Sequence, residues 1–266
     1  MAGNYADQSF KLYAREMQYL FNYYDQKKPS AITSNEIIDY VCYLKKVHQA
    51  SHAKMKMFAN ACKFFYTQVI NKPMSVPSKL YPRKEFKLPV VMLQHEVEQL
   101  LSVITNLKHR AIIELAYSSG MRLSEVSHLK IADINSKENY IRVDGKGKRE
   151  RHTLLSSRVL PLLRDYYTTY KPVTYLFNGH KSGQPMYNRQ FQRVMKEAVA
   201  KAGLNSRYSF HTLRHSFATH LLEKGVNLHH IKELMGHSSL SSTLEYLHLT
   251  LQHQATIVSP LDHLKP

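Results

Sequence analysis

A proline-rich, basic stretch constrains the fold of this chain most, because neither a helix nor a strand can run through it. It holds four prolines and four basic residues: Pro73, Pro77, Pro82 and Pro89, with Lys79, Arg83, Lys84 and Lys87 among them. Proline fixes φ and lacks an amide donor, so it interrupts helical and strand hydrogen bonding alike. We therefore predict an interdomain linker over residues 76–89, with one domain over 1–75 and a second over 90–266.

The first domain is predicted to be helical, because its apolar residues recur at spacings of three and four. These stripes run from Phe10 to Tyr24, from Ile37 to Leu44 and from Met55 to Val69. Thr33-Ser-Asn-Glu36, which precedes the second stripe, is a capping-box pattern. Three lysines lie off the third stripe, where they meet solvent or a polyanion: Lys54, Lys56 and Lys63.

The second domain is predicted to combine helices with one hairpin. Asn139–Val143 alternates as a strand does, Asp144-Gly-Lys-Gly147 is a turn signal, and a second strand follows near His152–Leu155. Helical patterns precede the hairpin near Val97–Ile104, Ile112–Ala116 and Leu123–Leu129, and follow it over 157–170, 190–202, 211–224, 228–235 and 239–247. The predicted fold class is therefore mainly α with a small antiparallel β-sheet, in two domains.

The charge of the chain favours a polyanion as partner. Its 37 Lys and Arg exceed its 20 Asp and Glu, which gives a formal net charge of +17. Residues 1–88 carry 14 basic and 6 acidic side chains, and residues 89–266 carry 23 and 14, so both parts are basic. Basic side chains that neutralise phosphates release condensed counterions, and this release favours binding to nucleic acid.

Other classes are disfavoured. No apolar run reaches the roughly 18–20 residues that span a bilayer, and the N-terminus lacks a signal-peptide pattern, so we expect a cytoplasmic protein with no membrane partner. Cys42 and Cys62 lie within apolar stripes and are predicted to be two buried thiols. His211 and His215 are spaced like metal ligands, but the intervening Arg214 opposes cation binding, and we predict no metal and no cofactor.

With these classes of protein disfavoured, the candidate functional residues are hydrogen-bond donors and one nucleophile. Nucleotide-binding loops and the HExxH motif are missing from the sequence. Guanidinium groups match phosphate oxygens, a tyrosine hydroxyl can act as a covalent nucleophile, and lysine and histidine can move protons. The candidates for metal-independent phosphodiester chemistry are Arg122, Lys146, His211, Arg214, His237 and Tyr246.

Four segments carry a family resemblance. They are YSSGMRLSEVSHLK (117–130), DGKGKRER (144–151), HTLRHSFATHLLEKG (211–225) and ELMGHSSLSSTLEYLHL (233–249). Together they resemble the signature boxes of the tyrosine recombinases, the phage integrase and Xer-like family, in order, spacing and flanking residues. The first domain resembles the helical core-binding domain of that family, and the second resembles its catalytic domain.

The resemblance implies a role for each candidate. Arg122 and Arg214 would clamp the scissile phosphate, and Tyr246 would attack it to form a 3′-phosphotyrosine. Lys146 would protonate the leaving oxygen; Lys148 competes for this role, but the GKGxxER frame favours Lys146. His211 would act as an acid or base and His237 would donate to the phosphate. Glu125 would support Arg122, although a purely structural role is equally compatible with its position.

The resemblance also implies partners. We expect double-stranded DNA with inverted half-sites, strand exchange through a Holliday junction, and a tetramer of this chain or of this chain with a paralogous recombinase. The residues expected to contact DNA in or near the first domain are Lys54, Lys56, Lys63, Arg83 and Lys84. The short first domain suggests a simple Xer-like or transposon-borne recombinase. Two alternatives stay open: a relative that binds DNA without cutting it, and a topoisomerase IB-like enzyme that relaxes DNA as a monomer.

Overall fold

The computed structural model describes residues 7–83, 88–144, 150–179 and 183–250. The chain divides into two compact units, Met1–Lys87 and Leu88–Pro266. The described residues are mainly helical, with one small antiparallel sheet, as the sequence predicted. The boundaries of the predicted linker, 76–89, stay a prediction, although a short 3₁₀ turn lies within it at Ser78–Leu80.

The first unit is built on three helices, α1 (Asp7–Tyr23), α2 (Ser34–Lys46) and α3 (His52–Phe64). The predicted capping box is present at the start of α2, where Thr33 and Glu36 bond each other's backbone amides. The third apolar stripe does not stay α-helical to Val69, because the chain widens into a π-helical turn over Phe65–Val69. Tyr66 in this turn is fully buried and its hydroxyl donates to the carbonyl of Pro29.

In the described part of the second unit, eight α-helices pack around apolar cores. Their bounds are α4 (Gln94–Ser102), α5 (Leu107–Ser119), α6 (Leu123–Ser127), α7 (Val159–Tyr170), α8 (Asn188–Lys201), α9 (Phe210–Glu223), α10 (Leu228–Met235) and α11 (Ser241–Thr250). The middle of α5 is completely buried at Ile112, Ile113 and Leu115. This helix contacts both α7 and α9, so it forms the centre of the unit.

The sheet has three strands in the order β1 (Ile134–Asn135), β2 (Tyr140–Asp144) and β3 (Glu150–Leu154). Both pairings are antiparallel, and Val143 lies opposite Arg151 in the hairpin of β2 and β3. The hairpin agrees with the sequence prediction. The prediction missed β1, because two residues are too few to show an alternating pattern.

The two cysteines are both thiols but differ in burial. Cys62 is fully buried in the core of the first unit, and burial raises the pKa of its thiol. Cys42 is only half-buried, so the prediction of two buried thiols holds for Cys62 alone. No helix among the described residues is long and apolar enough to cross a membrane.

Candidate active site

The site begins where α5 ends. Gly120 adopts the left-handed conformation (φ +62°) that terminates this helix. A Cβ atom at this position would lie 2.2 Å from Cδ1 of Phe217 on α9, so only glycine permits this approach of the two helices. The carbonyl of Gly120 accepts a hydrogen bond of 2.6 Å from Nη1 of Arg214, which also lies on α9. Arg122 follows two residues later.

The C-terminal end of α10 gathers three arginines. Gly236 ends this helix in the left-handed conformation, and the last carbonyls of a helix have no partner within it. Three consecutive carbonyl oxygens are each bonded by a different guanidinium: Leu234 by Arg151 (2.9 Å), Met235 by Arg214 (2.6 Å) and Gly236 by Arg122 (3.2 Å). The partial negative charge of a helix C-terminus favours cations at this place.

Glu125 connects two of these arginines. Its carboxylate accepts two bonds from Arg151, of 2.9 and 2.8 Å, and one of 2.9 Å from Arg122. It also accepts from the backbone amide of Arg122, which fixes the start of α6. Burial by itself would raise the pKa of Glu125, but the bonds and charges of Arg151 and Arg122 prevail and lower it. Glu125 is therefore a carboxylate at neutral pH.

Arg214 is the most deeply placed cation of the cluster. Its side chain is almost completely buried, and its guanidinium donates to two backbone carbonyls, Nη1 to that of Gly120 and Nη2 to that of Met235. Burial, followed by the charge of Arg122, lowers the pKa of Arg214 to about 10. The side chain still carries its charge at neutral pH, so a phosphate that approaches it meets a fixed, oriented cation.

Tyr246 lies beside two histidines. Its side chain is 2% exposed, and its hydroxyl is 3.0 Å from Nδ1 of His215. Its ring stacks on that of His237, with 6.3 Å between centroids and 11° between planes. Burial raises the pKa of Tyr246 to about 12, while the charge of Arg214 acts in the opposite direction.

The three histidines of the site are neutral for a common reason. Burial lowers the pKa of His211, and also lowers the pKa of His215 and of His237 to about 4 each. The charge of Arg214 adds to this effect in all three cases. Nδ1 of His237 is 2.9 Å from Oγ1 of the buried Thr243, which fixes its ring. The rings of His211 and His215 are 4.4 Å apart.

Five of the six predicted catalytic side chains therefore come together, although they are spread over more than half of the second unit: Arg122, His211, Arg214, His237 and Tyr246. Lys146 and its competitor Lys148 lie outside the described residues. Within those residues, no group of three or more His, Cys, Asp and Glu side chains is arranged to hold a metal ion.

The basic residues predicted to contact DNA differ in their surroundings. Lys54 forms an ion pair of 2.5 Å with Glu16, whose side chain is almost completely buried, and it lies over the ring of Tyr19. Lys56, Lys63 and Arg83 are exposed, and Lys84 lies outside the described residues. Lys54 thus has a structural task in its own unit, and DNA contact by these side chains stays a prediction.

Sequence reasoning missed two residues of the site. Arg151 lies inside the segment 144–151, but the sequence alone predicts no role for it. In the structure its side chain is only 10% exposed, and a basic side chain with so little exposure needs a specific partner. His215 was considered only as a metal ligand with His211. The spacing of Arg214, His215 and Tyr246 in the sequence gives no sign of the bond between the last two, because that bond depends on how α11 packs on α9.

Comparison with known proteins identifies the family of the chain. The model of the phage integrase family matches residues 91–253, and that of the phage integrase N-terminal SAM-like domain matches residues 2–75. Tyrosine recombinase XerD of Listeria innocua is 29% identical over 91% of this chain and 88% of its own length. A tyrosine recombinase of Thermosipho africanus is 36% identical over 68% of this chain and 65% of its own length.

A solved structure has the same fold. XerH site-specific recombinase, bound to palindromic difH substrate in a post-cleavage complex, aligns with a TM-score of 0.77 at 22% identity. The alignment covers 91% of this chain and 77% of that chain. With the family models matching both units, the chain belongs to the phage integrase family of tyrosine recombinases, enzymes that break and rejoin DNA strands at specific sites.

Proposed function

We propose that this recombinase cleaves one DNA strand with Tyr246 and holds the strand as a 3′-phosphotyrosine until it is rejoined. The observation that supports this most is the position of the tyrosine: its hydroxyl lies in a cluster of neutral histidines beside the buried cation of Arg214. A nucleophile of this kind needs a phosphate held in line with it and a path for its proton.

Arg122 and Arg214 would hold that phosphate. Both guanidinium groups are anchored at the C-terminal end of α10, and Arg122 is also anchored by Glu125. Anchored donors need little reorganisation when negative charge develops on the phosphoryl oxygens, so they stabilise the transition state more than the ground state. Glu125 would support catalysis by fixing Arg122.

The remaining side chains would move protons or donate to the phosphate. Thr243 engages Nδ1 of His237, which leaves Nε2 as the nitrogen for a phosphoryl oxygen. His211 lies at the start of α9. Neighbouring atoms partly desolvate its ring, but part of its surface stays exposed where DNA can reach it, and it would serve as an acid or base. Lys146 would protonate the 5′ oxygen as it leaves, with Lys148 as the competing candidate.

The substrate would be double-stranded DNA with two inverted half-sites, each bound by one protomer. The XerH complex contains a palindromic substrate, and lambda integrase was solved as a dimer bound to a core site. Two such sites bound by four protomers would exchange strands through a Holliday junction. The exposed Lys56, Lys63 and Arg83, together with Lys54 and Lys84, would contact the DNA backbone. Such an enzyme would work in the cytoplasm, without metal, ATP or another cofactor.

One experiment can identify both the DNA sequence that is cleaved and the ends that cleavage produces. Duplexes of random sequence, nicked so that a cleaved strand end is lost, are incubated with the wild-type chain, and covalent adducts that survive denaturation are sequenced. We expect inverted half-sites around a short spacer, with the protein on a 3′ phosphate and a 5′ hydroxyl opposite. Tyr246→Phe should bind the selected duplex and give no adduct, because it keeps the ring and lacks the nucleophile.

Each outcome has a distinct meaning. Binding without any adduct from the wild-type chain would favour a relative that no longer cuts DNA. Equal adduct from wild type and Tyr246→Phe would exclude Tyr246 as the nucleophile. Relaxation of supercoiled plasmid by a monomer, with no joined products from two sites, would favour the topoisomerase IB-like alternative over a recombining tetramer.

A further inference from the structure

The hydroxyl of Tyr246 must lose a proton when it attacks a phosphate, and His215 is the side chain bonded to it. Nδ1 of His215 lies 3.0 Å from that oxygen, within the range of a well-formed hydrogen bond. The rings are tilted by 54° with 5.6 Å between centroids. The tyrosine is 2% exposed, so bulk water does not compete for its proton in this arrangement.

We propose that His215 is a catalytic residue that accepts the proton of Tyr246 as the phosphotyrosyl bond forms, an inference that rests on Tyr246 being the nucleophile. The proton passes from Oη to Nδ1 of a neutral imidazole that carries its other proton on Nε2. Oη forms the bond to phosphorus, the bond from phosphorus to the 5′ oxygen breaks, and the acid of the site protonates that oxygen. In the resealing step the 5′ hydroxyl returns its proton to the group that donated it and attacks phosphorus. The bond from phosphorus to Oη then breaks, and His215 returns its proton to Oη.

The surroundings of His215 keep it in the form that can accept a proton. His211 and Arg214 on α9, His237 after α10, and Tyr246 on α11 face it. Burial contributes most to its low pKa, and His211, Arg214 and His237 lower it further. The same groups make its protonated form short-lived, so proton transfer accompanies bond formation instead of preceding it. A bound phosphate offsets the charge of Arg214 and thereby strengthens His215 as a base.

His211 is the alternative base, and the geometry favours His215 over it. Nδ1 of His215 is within hydrogen-bond distance of the tyrosine hydroxyl, whereas His211 lies against the ring of His215, with 4.4 Å between the ring centroids. His211 also keeps a larger part of its surface exposed than His215, which is half-buried against the nucleophile. The two histidines therefore have different positions: His215 contacts the tyrosine hydroxyl, and His211 lies on the solvent-facing side of the site.

A matched control is present on the same helix. Nδ1 of His220 lies 2.9 Å from the hydroxyl of Tyr117, so this pair repeats the contact of His215 with Tyr246 without a nucleophile. His220→Asn therefore reports what the loss of such a contact costs in folding. His215→Asn keeps an acceptor, Oδ1, near the place of Nδ1, but this oxygen cannot hold a proton at neutral pH.

The experiment measures single-turnover formation of the covalent adduct on the nicked duplex selected above. We expect His215→Asn to bind the duplex as the wild type does and to cleave about 100-fold more slowly. His220→Asn should cleave at the wild-type rate. The wild-type rate should be level near neutral pH and fall in acid as His215 becomes protonated. The fall should lie above pH 4, because the pKa of His215 is about 4 without DNA and the bound phosphate raises it. The rate of His215→Asn should instead rise with pH, because hydroxide must take the proton.

Two further arms separate the base from a positioning residue and from the acid. Added imidazole should restore cleavage by His215→Ala but not by His215→Asn. A duplex with sulfur in place of the 5′ bridging oxygen should not rescue either variant. A thiolate leaves without protonation, so this duplex compensates for the loss of the acid of the site but not for the loss of the base. The proposal is overturned if His215→Asn cleaves within threefold of the wild type, if both have the same pH profile, or if sulfur rescues it. Absence of adduct from the wild type would instead refute the proposed function.

Discussion

Arg151→Met tests whether the buried pair of Arg151 and Glu125 holds the site together. Both side chains are 10% exposed, so solvent screens their interaction little. The substitution keeps an unbranched chain of similar length but removes two bonds to Glu125 and one to the carbonyl of Leu234. Glu125 then stays buried with Arg122 alone, whose side chain is 40% exposed.

The expected cost is that of breaking a buried ion pair on one side, about 3–5 kcal/mol. For a unit of this size, 1 kcal/mol shifts Tm by roughly 2–4 °C, so we expect the unfolding transition of the second unit to fall by roughly 6–20 °C. The assay is thermal unfolding followed by circular dichroism. The matched control is Arg193→Met on α8, whose pair with Glu197 is 3.5 Å long and exposed on both sides. This control should change stability by less than about 0.5 kcal/mol.

The stability that the pair of Glu125 and Arg151 contributes should depend on pH. The pKa of Glu125 is lowered in the folded protein, so its pairing stabilises the fold above the pKa of the unfolded chain. That stabilisation disappears as the pH falls through the lowered pKa. The difference between wild type and Arg151→Met should therefore be largest near neutral pH and shrink in acid. A variant that melts within 1 °C of Arg193→Met at neutral pH would refute this reasoning.

Two further substitutions address other parts of the fold. Gly236→Ala should lower Tm more than Gly203→Ala. Both glycines have positive φ, but only at position 236 would the new Cβ meet a neighbour, Cδ of Arg151 at 2.7 Å. Comparable Tm values for the two variants would contradict this. Lys54→Met should destabilise the first unit, because its carboxylate partner is buried, whereas Lys56→Met should leave Tm unchanged and lower the salt dependence of DNA binding. Thermal unfolding and binding measured over a range of salt concentrations test both.

The architecture could be predicted from the sequence where a local pattern was strong. The helix from Leu228 to Met235 was predicted with its observed bounds, since a periodic stripe leads into a glycine. The capping box before α2 was also correct. The π-helical turn at Phe65–Val69 was not foreseen, because its apolar residues show the same spacing as an α-helix over so few positions.

The site could be predicted only in part. The signature segments named the residues, but their contacts depend on helix packing across up to 114 positions of sequence, as between Arg122 and Gly236. Arg151 was missed because a basic residue next to a lysine-rich turn has the sequence pattern of a solvated hairpin. The buried carboxylate that binds it lies 26 residues earlier, and nothing local connects the two.

The charge of the assembled cluster suggests why Arg151 and Glu125 are both needed. Arg122, Arg151 and Arg214 carry three positive charges and Glu125 carries one negative charge, so these four side chains have a net charge of +2. A phosphodiester carries one negative charge, and a second develops in the pentacoordinate state as the tyrosine oxygen bonds to phosphorus and gives up its proton. The cluster therefore matches the transition state better than the bound substrate, which is the condition for lowering the barrier. Without the phosphate, the carbonyls at the end of α10 and the neutral histidines let these three cations lie close together. Removal of Arg151 would lower the net charge to +1, so its loss should destabilise the transition state more than the bound substrate. We therefore expect Arg151→Met to lower the rate of cleavage more than the affinity for DNA.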